Sequence, residues 1–330
     1  RVVDKDGNRI LDIGGFLSHA ISLLPKEKPV KTVLAGEKVS PSVLNEVLQN
    51  LRRRKYFSRV KEVLLWALER GAPKLTVKHF SVAISACRDA SDASSALEIF
   101  NIMTRSGVVL DTVAYGAMLS ACDQVGDWEL AGVMHRRMLS EGVAANETTY
   151  TSLISACAKA GECSTAERYF AEMQEAGIPP NTITYTALIS ACTSAGMWER
   201  ALELYEAMKT KSVGINQFTT SNVIRACGKA GQLDKAIDVY KEMSAMGIVA
   251  DTVTYSSLIS AFEKVGDLDR AMLIYEEMKQ TRSLPNLVTF STLISTCEKA
   301  GDWTTALSLY ETMRSQKIEP NLLTFTSLIL

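Results

Sequence analysis

The chain has 330 residues, 47% hydrophobic and 22% charged, with 36 Lys and Arg against 37 Asp and Glu for a formal net charge of −1. That is the composition of an ordinary globular protein, long enough for a substantial core. No apolar run approaches the roughly 18 residues that span a bilayer, so no membrane is expected among its partners.

Residues 1 to 41 fit no repeat. Within them Asp4-Lys-Asp-Gly-Asn8 begins like a calcium loop, but Arg9 stands where such a loop needs glycine and no Glu closes it, so a surface turn is expected. Residues 42 to 76 read as one degenerate helical unit, with a first helix through Leu51 and a second around Val60 to Leu68. The basic run Arg52-Arg-Arg-Lys55, with Arg59 and Lys61, is a solvated helix face, an extended binding track or a dock for an acidic partner.

From Val77 to Asn321 seven consecutive stretches of 35 residues repeat one pattern without an insertion. A strict period of this length marks a solenoid. Numbering each unit from 1, most show Tyr or Phe at position 4, Leu or Ile at 7 and 8, Cys at 11 and Ala or Val at 14. Those offsets trace the stripe of an amphipathic helix. Glycine at position 15 (Gly126, Gly161, Gly196, Gly231, Gly266, Gly301) ends it. Ser91 replaces that glycine in the first unit, where a less sharply defined turn is expected.

A second helix follows in each unit, with alanine at position 20, an aromatic at 24 in all but one unit, and methionine at 27 in every unit. The alanines imply close helix approach, and the methionines fill irregular space between neighbours. Each unit is a helix–turn–helix hairpin that cannot bury its own apolar face, so neighbours must stack, with a concave groove as the expected result. Residues 322 to 330 begin an eighth unit; with Arg as the first residue, the chain reads as a piece of a longer protein.

Six of the seven cysteines (Cys87, Cys122, Cys157, Cys192, Cys227, Cys297) share position 11, a packing face, one repeat step apart and too far for disulfides or shared metal ligation. Cys163 is off the pattern and is expected at a turn. Such usage suggests a reducing compartment. His19, His79 and His135 lack catalytic partners at useful spacing, and no phosphate loop, metal cluster or cofactor motif appears, so no enzyme is expected. The acids near positions 16 to 18 and 25 to 26 are assigned to outer helix surfaces.

The string Thr182-Ile-Thr-Tyr-Thr-Ala-Leu-Ile189, preceded by Gly177-Ile-Pro-Pro-Asn181, resembles the pentatricopeptide repeat family. The resemblance covers residues 77 to 330 strongly and 42 to 76 weakly. Units all of 35 residues resemble the P subclass. The resemblance implies an all-α, right-handed solenoid superhelix that binds single-stranded RNA one base per repeat. Position 2 would sandwich the base: Val113, Ile183, Phe218, Val253, Val288 and Leu323 suit this, whereas Lys78 and Thr148 depart from it. Position 5 would read the base edge: Ser81, Gly116, Thr151, Thr186, Ser221, Ser256, Ser291 and Thr326. Position 35 would read it too: Asp111, Asn146, Asn181, Asn216, Asp251, Asn286 and Asn321.

A carboxylate only accepts, which suits guanine, whereas a carboxamide both donates and accepts, which suits adenine. The family's pairing then gives G-N-A-A-G-A-A, the unread base falling at Gly116. Asp or Asn before such a run is also a good helix N-cap, so capping is an alternative account of position 35, and the two can coexist. Lys159, Lys229, Lys264 and Lys299 at position 13 would meet phosphates or form a solvated face. Residues 77 to 330 nevertheless carry 21 Lys and Arg against 29 Asp and Glu, so the acid is expected away from the RNA. The resemblance implies organellar transcript stabilisation, processing or translation control, with plastid favoured over mitochondrion. The alternatives are a structural subunit among other proteins of a large organellar complex, and the RNA-gripping part of a nuclease whose catalytic domain lies elsewhere.

Overall fold

The computed structural model describes residues 2–3, 9–10, 13–25, 28–34, 39–69, 75–281 and 283–329. The calcium-loop-like stretch Asp4 to Asn8 lies outside the described residues. Contacts divide the chain into two compact units, Arg1–Ala160 with Glu175–Ile178, and Gly161–Gln174 with Pro179–Leu330.

In the first unit, β1 (Val2–Val3) pairs antiparallel with β2 (Arg9–Ile10). Every other regular element among the described residues is helical. Helices α1 (Ile13–Ser22) and α2 (Lys31–Leu34) precede α3 (Pro41–Arg53) and α4 (Phe57–Glu69), and α1 packs on α3. Ser40 caps α3, and Pro41 sits at its first turn, where the missing N–H costs nothing. Arg59 is not part of a solvated face. It is buried, and its guanidinium donates to the carbonyls of Pro25 at 2.7 Å and Lys28 at 3.0 Å, tying down the preceding segment. Arg52 pairs with Asp89 and Lys61 with Glu98, which leaves the exposed side chains of Arg53 and Lys55 with no hydrogen bond or ion pair among the described residues.

The hairpins follow. Helices α5 (Val77–Asp89), α7 (Thr112–Val125) and α9 (Glu147–Ala160) are the first helices of the first unit, with α6 (Ala93–Arg105) and α8 (Trp128–Ser140) between them. The second unit holds α10 (Cys163–Glu175), α11 (Thr182–Ser194), α12 (Trp198–Thr210), α13 (Gln217–Lys229), α14 (Leu233–Ala245), α15 (Thr252–Val265), α16 (Leu268–Gln280), α17 (Leu287–Ala300), α18 (Trp303–Ser315) and α19 (Leu322–Ile329). Within each unit, successive first helices touch one another, α5 on α7 on α9 and α11 on α13 on α15 on α17 on α19. The result is an α-solenoid of stacked hairpins.

What holds neighbours together is a ring pair repeated across the seams. The position-24 aromatic of one hairpin meets the position-4 aromatic of the next: Phe100 on Tyr115 at 5.2 Å, Phe170 on Tyr185 at 5.2 Å, Tyr275 on Phe290 at 5.9 Å. Edge-on pairs of this kind add about 0.5–1.5 kcal/mol each to their area burial. Thr220 interrupts the series; Tyr205 keeps a hydroxyl bond to Glu242 at 2.9 Å, as Tyr240 does to Glu277 beside its ring pair with Tyr255. The position-27 methionines are fully buried and the position-20 alanines at most 4% exposed.

Ser91 takes φ +56°, the same left-handed turn as Gly126 at +74° and Gly266 at +70°. The Asp92 N–H still bonds the Cys87 carbonyl at 2.9 Å, as Asp127 does to Cys122 at 3.0 Å, so the turn keeps its shape and the serine carries strain instead. Cys163 is the first residue of α10 rather than a turn residue, buried with its Sγ 3.5 Å from that of Cys192. The acids at position 16 are not merely surface charges. Asp92, Asp127, Asp267 and Asp302 accept backbone N–H bonds at 2.9 to 3.1 Å and cap the second helices.

Candidate nucleic-acid interface

Each first helix from α7 onward begins one residue after a position-35 Asp or Asn, because that side chain satisfies an orphan N–H of the first turn. Oδ1 of Asp111, Asn146, Asn181, Asn216, Asp251, Asn286 and Asn321 accepts the N–H three residues on, at 2.8 to 3.0 Å. Capping uses one side-chain atom, Oδ1, and these residues are exposed or half-buried.

The position-2 side chains stand out from the same helices. Val113, Ile183, Phe218, Val253, Val288 and Leu323 are large apolar groups left exposed, Ile183 and Phe218 by 64% and 68%. Lys78 and Thr148 are exposed as well. The position-5 side chains sit deeper. Ser221, Ser256 and Ser291 are buried, Ser81, Gly116, Thr151 and Thr186 half-buried, and Thr326 exposed with its hydroxyl on the Leu322 carbonyl at 2.8 Å.

Beneath these columns lies a third that the sequence reading missed. Position 3 is threonine in six units (Thr149, Thr184, Thr219, Thr254, Thr289, Thr324), each fully buried. The Thr254 hydroxyl donates to Asp251 Oδ1 at 2.7 Å and stands 2.6 Å from Ser221 Oγ. Thr289 lies 3.2 Å from Asn286 Oδ1 and 2.9 Å from Ser256 Oγ, and Thr324 lies 2.8 Å from both Asn321 Oδ1 and Ser291 Oγ. Thr219 bridges Asn216, at 3.0 Å, to Thr186, at 2.8 Å. Positions 5 and 35 of one repeat are thus joined through the first turn of the next.

In the second unit a pocket of about 260 Å³ opens between the position-2 side chains of two successive repeats. Val253 and Val288 line it, with Ser256 and Asn286 as its polar edge and Arg225 and Lys229 as its cations. Arg225 was also missed, though its signal is plain: position 9 is serine in the other six units (Ser85, Ser120, Ser155, Ser190, Ser260, Ser295). One guanidinium nitrogen donates to Asn222 Oδ1 at 2.6 Å, while its buried Nε has no hydrogen-bond partner.

The position-13 lysines divide into two kinds. Lys159 donates to the Asp123 carbonyl at 2.7 Å, Lys264 to the Gly228 carbonyl at 3.2 Å and to that of Lys229, and Lys299 to the Glu263 carbonyl at 3.2 Å. They tie down carbonyls at the C-terminal end of the preceding first helix, where a cation is favoured. The Lys229 ammonium makes no hydrogen bond or ion pair among the described residues, and the residue lines the pocket. The acid lies mainly elsewhere: the first helices from α5 to α19 hold seven basic and five acidic residues, the second helices from α6 to α18 eleven and fifteen.

The histidines serve the fold. His79 accepts the Thr76 N–H at 3.1 Å and bonds the Pro41 carbonyl at 2.8 Å, His135 packs edge-on against Tyr150, and His19 meets Arg54. Among the described residues no group of three His, Cys, Asp or Glu could hold a metal ion, and no helix is long and apolar enough to cross a membrane.

The sequence pattern of the family described as the pentacotripeptide-repeat region of PRORP matches residues 69–199 and 183–330. No curated protein matches the chain. Among solved structures, the pentatricopeptide repeat protein PPR10 from maize is similar with a TM-score of 0.65 and 23% identity, over 98% of this chain and 47% of that one. PPR10 in complex with an 18-nt psaJ RNA element gives 0.53 and 18%, over 96% and 57%. The PPR domain of Arabidopsis thaliana protein-only RNase P 1, in complex with tRNA, gives 0.50 and 19%, over 56% and 96%. The chain spans about half the length of maize PPR10. These likenesses establish the fold.

Proposed function

Because the chain belongs to the pentatricopeptide repeat family, we propose that it binds single-stranded RNA sequence-specifically, one base per repeat, with GNAAGAA as its site. The observation that carries this reading is the pocket between Val253 and Val288. Two exposed apolar side chains one repeat apart offer their faces to a flat ring. Ser256 and Asn286 supply a polar edge of the kind that reads a base, and Lys229 holds an unspent ammonium for the adjoining phosphate. Water gives no reason to leave a ladder of valine, isoleucine and phenylalanine exposed; a stack of bases does. That the maize relative is seen with an RNA element and the Arabidopsis domain with tRNA supports RNA as the ligand class.

Caps and readers are compatible here, since the cap takes Oδ1 and leaves the second atom outward. The uniform 35-residue spacing supports the P subclass, and protection or processing of a plastid transcript is the role we assign. The test is binding of the chain to RNA containing GNAAGAA, to a scrambled purine RNA and to a U-rich RNA, at about 150 mM salt. Preference for the first supports the function. Equal binding to all three, or none, removes it.

A further inference from the structure

Thr219, Thr254, Thr289 and Thr324 at position 3 each touch both residues assigned to base reading, though position 3 has no place in the family's reading scheme. We infer that each is a specificity-determining positioning residue, which fixes the position-5 hydroxyl of the preceding repeat as a pure acceptor toward the base. The inference rests on the RNA-reading function proposed above.

Proton bookkeeping at Asp251 makes the case. An ionised carboxylate can only accept, so the single proton of Thr254 goes to Asp251 Oδ1, 2.7 Å away. Ser221 Oγ, 2.6 Å from Thr254 Oγ1, must then donate its own proton to Thr254. Its other inward contact, Asp251 Oδ1 at 3.5 Å, is again an acceptor. Whichever it uses, Ser221 turns only lone pairs outward. Asp251 Oδ2 beside it is an acceptor as well. Two neighbouring acceptors match guanine, whose pairing edge offers N1–H and N2–H side by side; adenine, cytosine and uracil each offer a single donor there, next to an acceptor.

The asparagine repeats obey the same constraint. The N–H of Thr289 points at Asn286 at 3.0 Å and can only donate, so Oδ1 is held inward and Nδ2 becomes the outward donor. Ser256, bonded to Thr289, again offers lone pairs. Donor beside acceptor complements N1 and N6–H of adenine.

The chain contains its own controls. Ser81 and Asp111 form the same reading pair as Ser221 and Asp251, but position 3 of the following unit is Ala114. Ser81 Oγ is buried there with no hydrogen-bond partner, free to turn its proton either way. Where position 5 is Gly116 there is no hydroxyl to orient, and Thr149 turns back to its own cap, donating to the Asn146 carbonyl at 2.7 Å. The relay is present at Ser221, Ser256 and Ser291 and absent where position 5 lacks a hydroxyl or position 3 lacks a threonine.

The two guanine sites should therefore differ in stringency within one molecule. Affinities of the whole chain for GNAAGAA are compared with those for the same RNA carrying A at its first or its fifth position. The G-over-A preference is expected to be weaker at the first than at the fifth. Thr254→Val should cost the fifth site about five-fold in preference, the worth of one net hydrogen bond, while Thr254→Ser keeps it. Ala114→Thr should sharpen the first site by a similar factor, and it decides the matter if Thr254→Val does not fold. Unchanged preference in the folded Thr254→Val chain, or in the Ala114→Thr chain when the other does not fold, overturns the relay and leaves RNA reading standing. If the unaltered chain shows no G-over-A preference at the fifth site, base reading itself fails, and the relay's role falls with it.

Discussion

Replacing Asp251 by Asn should invert the base preference of one repeat and leave the fold almost untouched. Oδ1 of Asp251 takes the Thr254 N–H at 2.8 Å and the Thr254 hydroxyl at 2.7 Å. Asparagine keeps that oxygen, so the cap of α15 survives, and the cost is the lost charge near a helix N-terminus, about 0.3–1 kcal/mol. Only the outward atom changes, from an acceptor to a donor. A good reading pair is worth about 1–3 kcal/mol of discrimination against the wrong base, by analogy with base contacts in DNA. Lost on G and gained on A, even the lower bound swings the ratio of affinities by about thirty-fold. The assay is fluorescence anisotropy with labelled GNAAGAA and GNAAAAA, alongside thermal unfolding of both proteins. A variant that unfolds like the original and keeps the original preference would refute base reading at this repeat.

Three further outcomes are expected. Ser91→Gly should raise stability by about 0.5–1 kcal/mol, because a left-handed non-glycine costs about 1–2 kcal/mol and glycine's extra chain entropy returns part of that; an unchanged or lower urea midpoint would contradict it. Lys229→Gln should flatten the salt dependence of RNA binding by about 0.7 in log–log slope without moving the melting temperature, whereas Lys299→Gln, whose ammonium bonds Glu263, should lower stability by about 0.5–1 kcal/mol; the same salt effect in both would dissolve the distinction. Burial pushes the thiols of Cys87, Cys227 and Cys297 to about 11 and Cys122 to about 12, from an ordinary 9.0. The unfolded chain ionises first, so this stability is whole below pH 9 and is lost as pH climbs toward 11–12, by up to about 1 kcal/mol per thiol at pH 10 after solvent screening. Equal urea midpoints at pH 8 and pH 10 would count against it.

Much of the repeat was legible because its signals are local. Tyr115, Met118, Leu119 and Cys122 lie on one turn-by-turn stripe, and Gly126 stops it within the same stretch of chain. The caps at Asp251 and Asn286 were legible for the same reason, being three residues from their donors. What escaped were contacts made across a whole repeat. Thr254 looks like a β-branched core residue until Ser221, 33 positions earlier, is laid against it. Lys299 looks like a free surface cation until its reach back to Glu263 is seen. Arg59 was hidden in a basic run because nothing nearby in sequence announces the carbonyls of Pro25 and Lys28. Arg225 is different: the break it makes in the position-9 serine column is legible in the sequence itself.

The gap in the ring series at Thr220 has a mechanical meaning. A stack held by nearest-neighbour couplings behaves like a line of dominoes glued face to face, and it parts where the glue is thinnest. Between the hairpin of α12 and that of α13 the ring pair is absent, and the bond from Tyr205 past α13 to Glu242 on α14 is one that Tyr240 also makes, to Glu277, in addition to its ring pair with Tyr255. Hydrogen exchange should find its first opening at this joint, with the hairpins on either side still closed. A strand threaded along the repeats would then splint its own reader at the place where it bends most readily.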